Sequence, residues 1–194
     1  MRMYVADQLF KQLMSINWLQ PAGMPRSTCF MSDCQCPYGY SRHSIDATPW
    51  HEPLRDIVRN IARALNLNLQ NMKICANLNL YEGSLQSVDW HSDNEPMFGP
   101  EPTILSISLG GSRNFCVRPL NNLSNVLTYR LDHGDVSIMS GTLQQTHQHK
   151  VPKEWYHDSS VRINITARII KQCMCGGTPV SCRWRTPFIP QAVS

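Results

Sequence analysis

The sequence predicts a mainly β domain with flanking helices (α+β), and three observations carry that prediction. Two amphipathic helical patterns come early, over residues 6–15 and 52–65. After Asn66 the texture changes to short β-compatible runs separated by Gly, Pro, Asn and Asp. The chain has 194 residues, 42% of them hydrophobic, enough for one domain with a substantial core. Many short strands at roughly even spacing, following helices, argue for a β-sandwich or barrel with helices outside it.

Each element follows from its residues. Over 6–15 apolar side chains fall at 6, 9, 10, 13 and 14, helical spacing for a packing helix. Pro21, Gly23 and Pro25 end it, and Thr28-Cys29-Phe30-Met31 suits a short strand. Residues 32–49 are polar and turn-rich, with Tyr38, Tyr40, Arg42 and His43 close together, the texture of a surface loop or lid. From Glu52 to Leu65 apolar residues stand at 54, 57, 58, 61, 62 and 65, with Pro53 in the first turn where its missing N–H costs nothing. Strands are expected over 73–80, 88–91, 103–109, 114–118, 126–131, 135–139 and 161–170. No internal repeat marks a second domain, and the residues from Lys171 on, with Cys, Pro and Arg, read as an appendage.

Composition narrows the function. A net charge of +4 permits a phosphate-bearing partner without demanding one. No run of about 18 apolar residues suggests a membrane span, and the polar start is unlike a secretory signal. Eight cysteines in such a chain read as mostly reduced thiols, which points to an intracellular compartment. Cys29, Cys34-Gln35-Cys36, Cys173-Met174-Cys175 and Cys182 could supply a structural zinc site if the tail packs on the lid. Their spacings match no standard zinc module, so free thiols are the better reading. Arg183, Trp184 and Arg185 suit either a nucleic-acid backbone or plain packing.

The chemistry candidates begin with His91-Ser92-Asp93. In an extended strand positions i and i+2 face the same side, so an imidazole and a carboxylate can reach one point. One more His would complete a 2-His-1-carboxylate facial triad, which holds Fe(II) and leaves positions open. His147 and His149 are both candidates for it. In Arg162-Ile163-Asn164-Ile165-Thr166-Ala167-Arg168 polar and apolar residues alternate strictly. Two guanidinium groups on an inward face would be costly unless anions neutralise them. A dicarboxylate suits, because Arg grips a carboxylate in a bidentate fork.

Taken in order, Asn-x-Tyr, Gly, His-x-Asp, a distal His before x-Val-Pro, and Arg-x-Asn-x-Thr-x-Arg resemble the AlkB family of Fe(II)- and 2-oxoglutarate-dependent dioxygenases. After His91 and Asp93, His149 comes 56 residues beyond Asp93, and Arg162 follows 13 later. The similarity runs over about 5–170, taking in Tyr38-Gly39-Tyr40-Ser41 and Pro49-Trp50. It implies a double-stranded β-helix (jelly roll) core with N-terminal helices and a nucleotide-recognition lid at about 27–49, in a domain of residues 1–170 followed by an appendage, 171–194. It implies His91, Asp93 and His149 as catalytic metal ligands, His149 being preferred to His147 because it precedes Val151-Pro152. Asn79, Tyr81, Arg162, Asn164 and Arg168 would hold 2-oxoglutarate, and Glu95, Tyr40 and Tyr38 would meet the substrate. Arg113 and Arg118 match a further family pattern, with a structural role in view.

The activity so implied is oxidative demethylation of 1-methyladenine or 3-methylcytosine in DNA or RNA, with Fe(II), 2-oxoglutarate and O2, releasing formaldehyde, succinate and CO2. The partner would be methylated nucleic acid, met by a monomer in the nucleus or cytoplasm with no membrane attachment. Ala167, Asn94 and the stretch Gln144-Gln145-Thr146-His147 depart from the family pattern. These departures bear on substrate preference and leave every metal ligand in place. The alternatives are the same iron chemistry on a protein or small molecule, or a non-catalytic binding module.

Overall fold

The computed structural model describes residues 1–40, 43–67, 69, 72–155 and 160–172, the side chains of Tyr40 and His43 excepted. Helix α1 (Met3–Met14) precedes β1 (Ser27–Ser32), the hairpin strands β2 (Tyr38–Tyr40) and β3 (His43–Ile45), and the short β4 (Ala47–Thr48). Helix α2 (Glu52–Ala64) leads into β5 (Lys73–Tyr81) and β6 (Val88–His91), and a 3-10 turn spans Pro96–Phe98. There follow β7 (Ile104–Gly110), β8 (Arg113–Pro119), β9 (Leu127–Leu131), β10 (Val136–Met139), the one-turn helix α3 (Leu143–Thr146), β11 (His147–Val151) and β12 (Arg162–Ile170).

The strands form a six-stranded sheet in the order β10-β7-β12-β5-β1-β4, a four-stranded sheet in the order β6-β11-β8-β9, and the β2-β3 hairpin. Residues from both larger sheets line one cleft, so the two face each other across it as a jelly roll. The major sheet has two characters because its strands alternate. Leu78 on β5, Ile107 on β7 and Ile163 and Ile165 on β12 face outward and are wholly buried against Leu9 and Leu13 of α1 and Leu54 and Val58 of α2. The register Asn164↔Asn79 and Asn164↔Ser108 aligns a polar row on the other face, toward the cleft. Burial of each large aliphatic contributes about 1.5–3 kcal/mol, which offsets the cost of enclosing that row.

The expected strands agree with the observed ones to within a residue or so at each end. Differences arise where periodicity had little to act on. Residues 147–151 form a central strand of the minor sheet, pairing with both β6 and β8, although His-Gln-His-Lys-Val carries no apolar alternation. The expected lid divides: Ser27–Ser32 is a buried strand of the major sheet, and the β2-β3 hairpin comes after it. Gly110 is irreplaceable by geometry, since φ is +82° and a Cβ would stand 2.2 Å from the Val161 carbonyl oxygen. Cys173, Cys175, Cys182, Arg183, Trp184 and Arg185 lie outside the described residues. No helix among the described residues is long and apolar enough to cross a membrane.

Leu78→Ala removes a fully buried side chain between β5 and the helices, and should cost about 2–5 kcal/mol in denaturant unfolding. A loss under about 1 kcal/mol would contradict this account of the core.

Candidate active site

Three elements deliver the residues that converge in the cleft. Strand β6 ends at His91, Asp93 follows on the extended segment after it, and His149 sits mid-strand on β11 directly opposite His91. One donor atom from each of the three lies within 4.8 Å of the others, and among the described residues no other His, Cys, Asp or Glu cluster does so. Nε2 of His91 is 3.6 Å from Oδ1 of Asp93, and the two imidazole centroids are 4.3 Å apart. His147 is the half-exposed first residue of β11, and its Nδ1 meets the Thr146 hydroxyl 2.8 Å away, outside the cluster.

The surroundings fix both orientation and charge. The Asp89 carbonyl lies 2.7 Å from Nδ1 of His91 and can only accept, so Nδ1 donates and Nε2 of the neutral ring keeps its lone pair. Burial and the neighbouring His91 push His149 down to about 4, leaving a neutral imidazole. Burial alone would raise the Asp93 carboxyl, but Arg168 and the two imidazoles outweigh it and hold it well below the usual carboxylate range. Arg168 donates from Nη2 to Oδ2 of Asp93, both side chains being almost wholly buried. Two imidazoles and an ionised carboxylate on one side of a cleft are the donor set that a divalent iron needs, so these residues fit the metal.

The cleft leaves about 40 Å³ of cavity volume, and its major-sheet wall is the polar row. Arg162 is completely buried. Its Nη2 donates to Ser108 Oγ at 2.8 Å and Asn164 Oδ1 at 2.9 Å, while Nε and Nη1 have no hydrogen-bond partner and no carboxylate among the described residues pairs with it. Burial pushes this guanidinium down to about 10. Its carbon sits 5.5 Å from the Tyr81 ring centroid, and Asn79, Tyr81 and Asn164 line the cleft beside it. A buried cation with two unused N–H groups suits an anionic guest, and a carboxylate matches its fork.

On the lid side Tyr38 is 1% exposed and packs against Phe30, with ring centroids 5.0 Å apart. Its hydroxyl donates to Oε1 of Glu95 at 2.6 Å, and Oε2 of Glu95 is buried with no partner. Tyr40 stands on β2; its side chain is outside the described residues. The expected substrate residues Tyr38 and Glu95 thus meet each other. Arg113 is structural in its contacts: it donates to the carbonyls of Ser84, Gln86 and Pro152 and lies 3.7 Å from Glu154.

Several residues that shape the site carry no signal in spacing. Gln144, 2% exposed on α3, accepts the Asp93 backbone N–H at 2.9 Å, and the Ser92 hydroxyl donates to the His147 carbonyl at 2.7 Å. Arg26 donates from Nε to Oδ1 of Asn79 at 2.7 Å. Cys29, Cys75 and Cys116 are buried free thiols that are not part of the three-residue cluster, and burial pushes Cys75 up to about 12.

Comparisons with known proteins agree with this architecture. The chain matches the profile of the 2OG-Fe(II) oxygenase superfamily over residues 10–168. It is 36% identical over 182 residues to the alpha-ketoglutarate-dependent dioxygenase alkB homolog 3 of Bos taurus, covering 85% of this chain and 62% of the relative. The Homo sapiens protein of the same name is likewise 36% identical, over 183 residues, with the same shares of each chain. The DNA oxidative demethylase ALKBH2 of Arabidopsis thaliana is 28% identical over 171 residues, 75% of this chain and 53% of that one. The chain thus spans about three-fifths of the length of its first curated relatives. In fold it resembles the solved structure of OsALKBH1, with a TM-score of 0.58 at 18% identity over 84% of this chain and 90% of the other. On the match over residues 10–168, the chain belongs to the 2OG-Fe(II) oxygenase superfamily, and several of its relatives are AlkB homologues.

Proposed function

We propose that the chain is an Fe(II)- and 2-oxoglutarate-dependent dioxygenase that oxidatively demethylates N-methylated bases of the 1-methyladenine and 3-methylcytosine type in DNA or RNA. Residues 1–170 would be the catalytic domain and 171–194 an appendage. The observation that carries the reading is the convergence of His91, Asp93 and His149 at a cleft whose wall holds the unpaired Arg162 guanidinium. The relatives' names, which speak of alpha-ketoglutarate-dependent dioxygenase and DNA oxidative demethylase, support it.

Bound Fe(II), with 2-oxoglutarate and O2, supplies the oxidising chemistry that hydroxylates an N-methyl carbon and yields succinate and CO2. The chain's own residues supply position and exclusion of water. His91 and His149 offer imidazole nitrogens, and Asp93 offers a carboxylate oxygen that Arg168 and Gln144 keep aimed. Arg162 takes the distal carboxylate of the cosubstrate through the N–H groups it has free, with Asn164 and Tyr81 beside it. Arg168 and Asn79 serve the other carboxylate. On the substrate side Tyr38 holds one oxygen of Glu95, leaving Oε2 to accept an N–H from the base, while Tyr40 stacks on it. A methyl on a Watson–Crick nitrogen is unreachable in a duplex, so the base enters flipped or single-stranded. The hydroxylated methyl is a hemiaminal, and its collapse releases formaldehyde. Methylated DNA or RNA as partner places a monomer's work in the nucleus or cytoplasm.

Formaldehyde release from oligonucleotides carrying 1-methyladenine or 3-methylcytosine, dependent on iron and 2-oxoglutarate, tests the reading directly. No turnover on any methylated single- or double-stranded DNA or RNA would sink it. His149→Ala should abolish turnover while His147→Ala retains it; the reverse would overturn the ligand assignment. Glu95→Ala and Tyr38→Phe should raise KM for the methylated oligonucleotide several-fold, by loss of about 1–2 kcal/mol of hydrogen bonding. Arg162→Met replaces an unpaired buried cation by an apolar side chain of similar length, so without ligand it should melt at or above the wild-type temperature. It should also lose the rise in melting temperature that 2-oxoglutarate with Mn(II) gives the wild type. An unchanged rise would remove Arg162 from the cosubstrate site.

A further inference from the structure

The outer face of the four-stranded sheet carries a rung of side chains directly behind two of the candidate ligands. The guanidinium carbon of Arg118 lies 4.0 Å from the centroid of the Trp90 ring, and the Lys150 amine lies 4.6 Å from it. Both distances are within cation–π range. Arg118 also donates from Nε and Nη2 to Gln148 Oε1, at 3.2 and 2.9 Å. Arg118 belongs to β8, Gln148 and Lys150 to β11, and Trp90 to β6, so the rung crosses three strands. Among the described residues no carboxylate forms an ion pair with Arg118 or Lys150, which leaves the indole as their shared electron-rich partner.

The backbone beneath shows what such a rung is for. Strand β6 has four residues and lies at the sheet edge. Its registered pairs with β11 are His149↔His91 and Val151↔Val88, with an irregularity between them. Val88 and His91 are three residues apart, whereas Val151 and His149 are two apart, so β6 carries one extra residue. A bulge of this kind re-aims side chains, and here Val88 and His91 both line the cleft despite their odd separation. Losing the bulge by a one-residue slip would turn His91 outward, because strand side chains alternate. Trp90 lies within the bulge, immediately before His91, and Gln148 and Lys150 bracket His149.

We propose that Trp90, Arg118 and Lys150 are positioning residues for the metal site: their stack pins the β6 bulge in the register that turns His91 toward His149. The inference rests on the reading of those two histidines as ligands. Arg118, which otherwise looks like an ordinary half-buried surface residue, then acts on a ligand two strands away without touching the cleft.

The test is Co(II) titration of metal-free protein, followed by visible absorption, with thermal melting of each metal-free variant beside it. Trp90→Ala should weaken Co(II) binding about tenfold and alter the band shape, while Trp90→Phe, which keeps a ring under the cations, should stay within about twofold of wild type. Arg118→Gln and Lys150→Gln should each weaken binding about threefold. Thr128→Ala, on the same outer face but off the rung, should bind as wild type does. Wild-type affinity in both Trp90→Ala and Arg118→Gln overturns the proposal, even if their melting temperatures fall. Should Trp90→Ala fail to fold, the Arg118 and Lys150 variants decide alone, by the same criterion. If wild type takes up no Co(II), or His149→Ala binds as tightly as wild type, the ligand reading itself fails and this inference falls with it.

Discussion

A buried guanidinium against a buried carboxylate ties the two halves of this molecule together. Arg168 stands near the end of β12, in the middle of the major sheet, and Asp93 stands just past β6, at the edge of the minor one. Neither side chain is more than about a twentieth exposed, so each would be an intolerable charge without the other. Removing one partner of such a pair typically costs about 3–5 kcal/mol. The constraint therefore acts on the fold and the site at once: the sheets cannot separate without exposing or orphaning the pair, and Asp93 cannot swing away from the two imidazoles. Burial would raise the Asp93 carboxyl, and Arg168 reverses that, so the contact that closes the sandwich also keeps the carboxylate ionised.

From that pair the remaining polar row can be understood. A jelly roll of this size should fill its interior with aliphatic residues, and its outer, helix-covered face does so. The inner face instead carries Asn77, Asn79, Ser106, Asn164 and Thr166. Their mutual hydrogen bonds, such as Ser106 to Asn164 at 3.1 Å and Asn164 to Thr166 at 2.8 Å, make the enclosure affordable. Arg162 is the exception, with Nε and Nη1 left over. A protein that keeps an unneutralised buried cation sacrifices stability at that point, and this is where functional sites characteristically depart from optimal packing.

Much of this was legible in the sequence because the signal was periodic. The alternation in 162–168 foretold both faces of β12, and the spacing in 52–65 foretold the buried stripe of α2. His91-Ser92-Asp93 read correctly as a juxtaposition, though for a partly different reason: Asp93 lies beyond the strand end, held by Gln144 and Arg168 instead of by pleat geometry. Where a residue's role depends on a partner distant in sequence, no local pattern exists to read. Gln144 meets Asp93 across 51 positions and Tyr38 meets Glu95 across 57. Tyr38 in particular sits in a polar, turn-rich stretch that suggests exposure, and yet it is buried because Phe30 and Phe98 pack around its ring. Residues 147–151 were hidden for a related reason. A strand whose inward residues include a histidine has lost the apolar alternation by which strands are recognised.

The site is consequently held with unequal firmness on its two sides. Around His91, Asp93 and His149 the supports come from every direction: Arg168 from the facing sheet, Gln144 and Ser92 along the chain, the Asp89 carbonyl on the far ring nitrogen, and the Trp90 stack from the outer surface. Geometry of that kind must be fixed before any ligand arrives, since loosely supported first contacts give poor sites. On the opposite side Glu95 depends chiefly on one phenol, carried by a three-residue strand of a two-stranded hairpin. Tyr38 is itself well packed, so the carboxylate is presented at a fixed height, and among the described residues β2 pairs only with β3. The two sides of the cleft thus differ in how many elements support them. On the proposed reading, substitutions in the hairpin or at Glu95 should change which base is accepted, and changes along the β6-β11-β8 rung should alter the centre for all substrates alike.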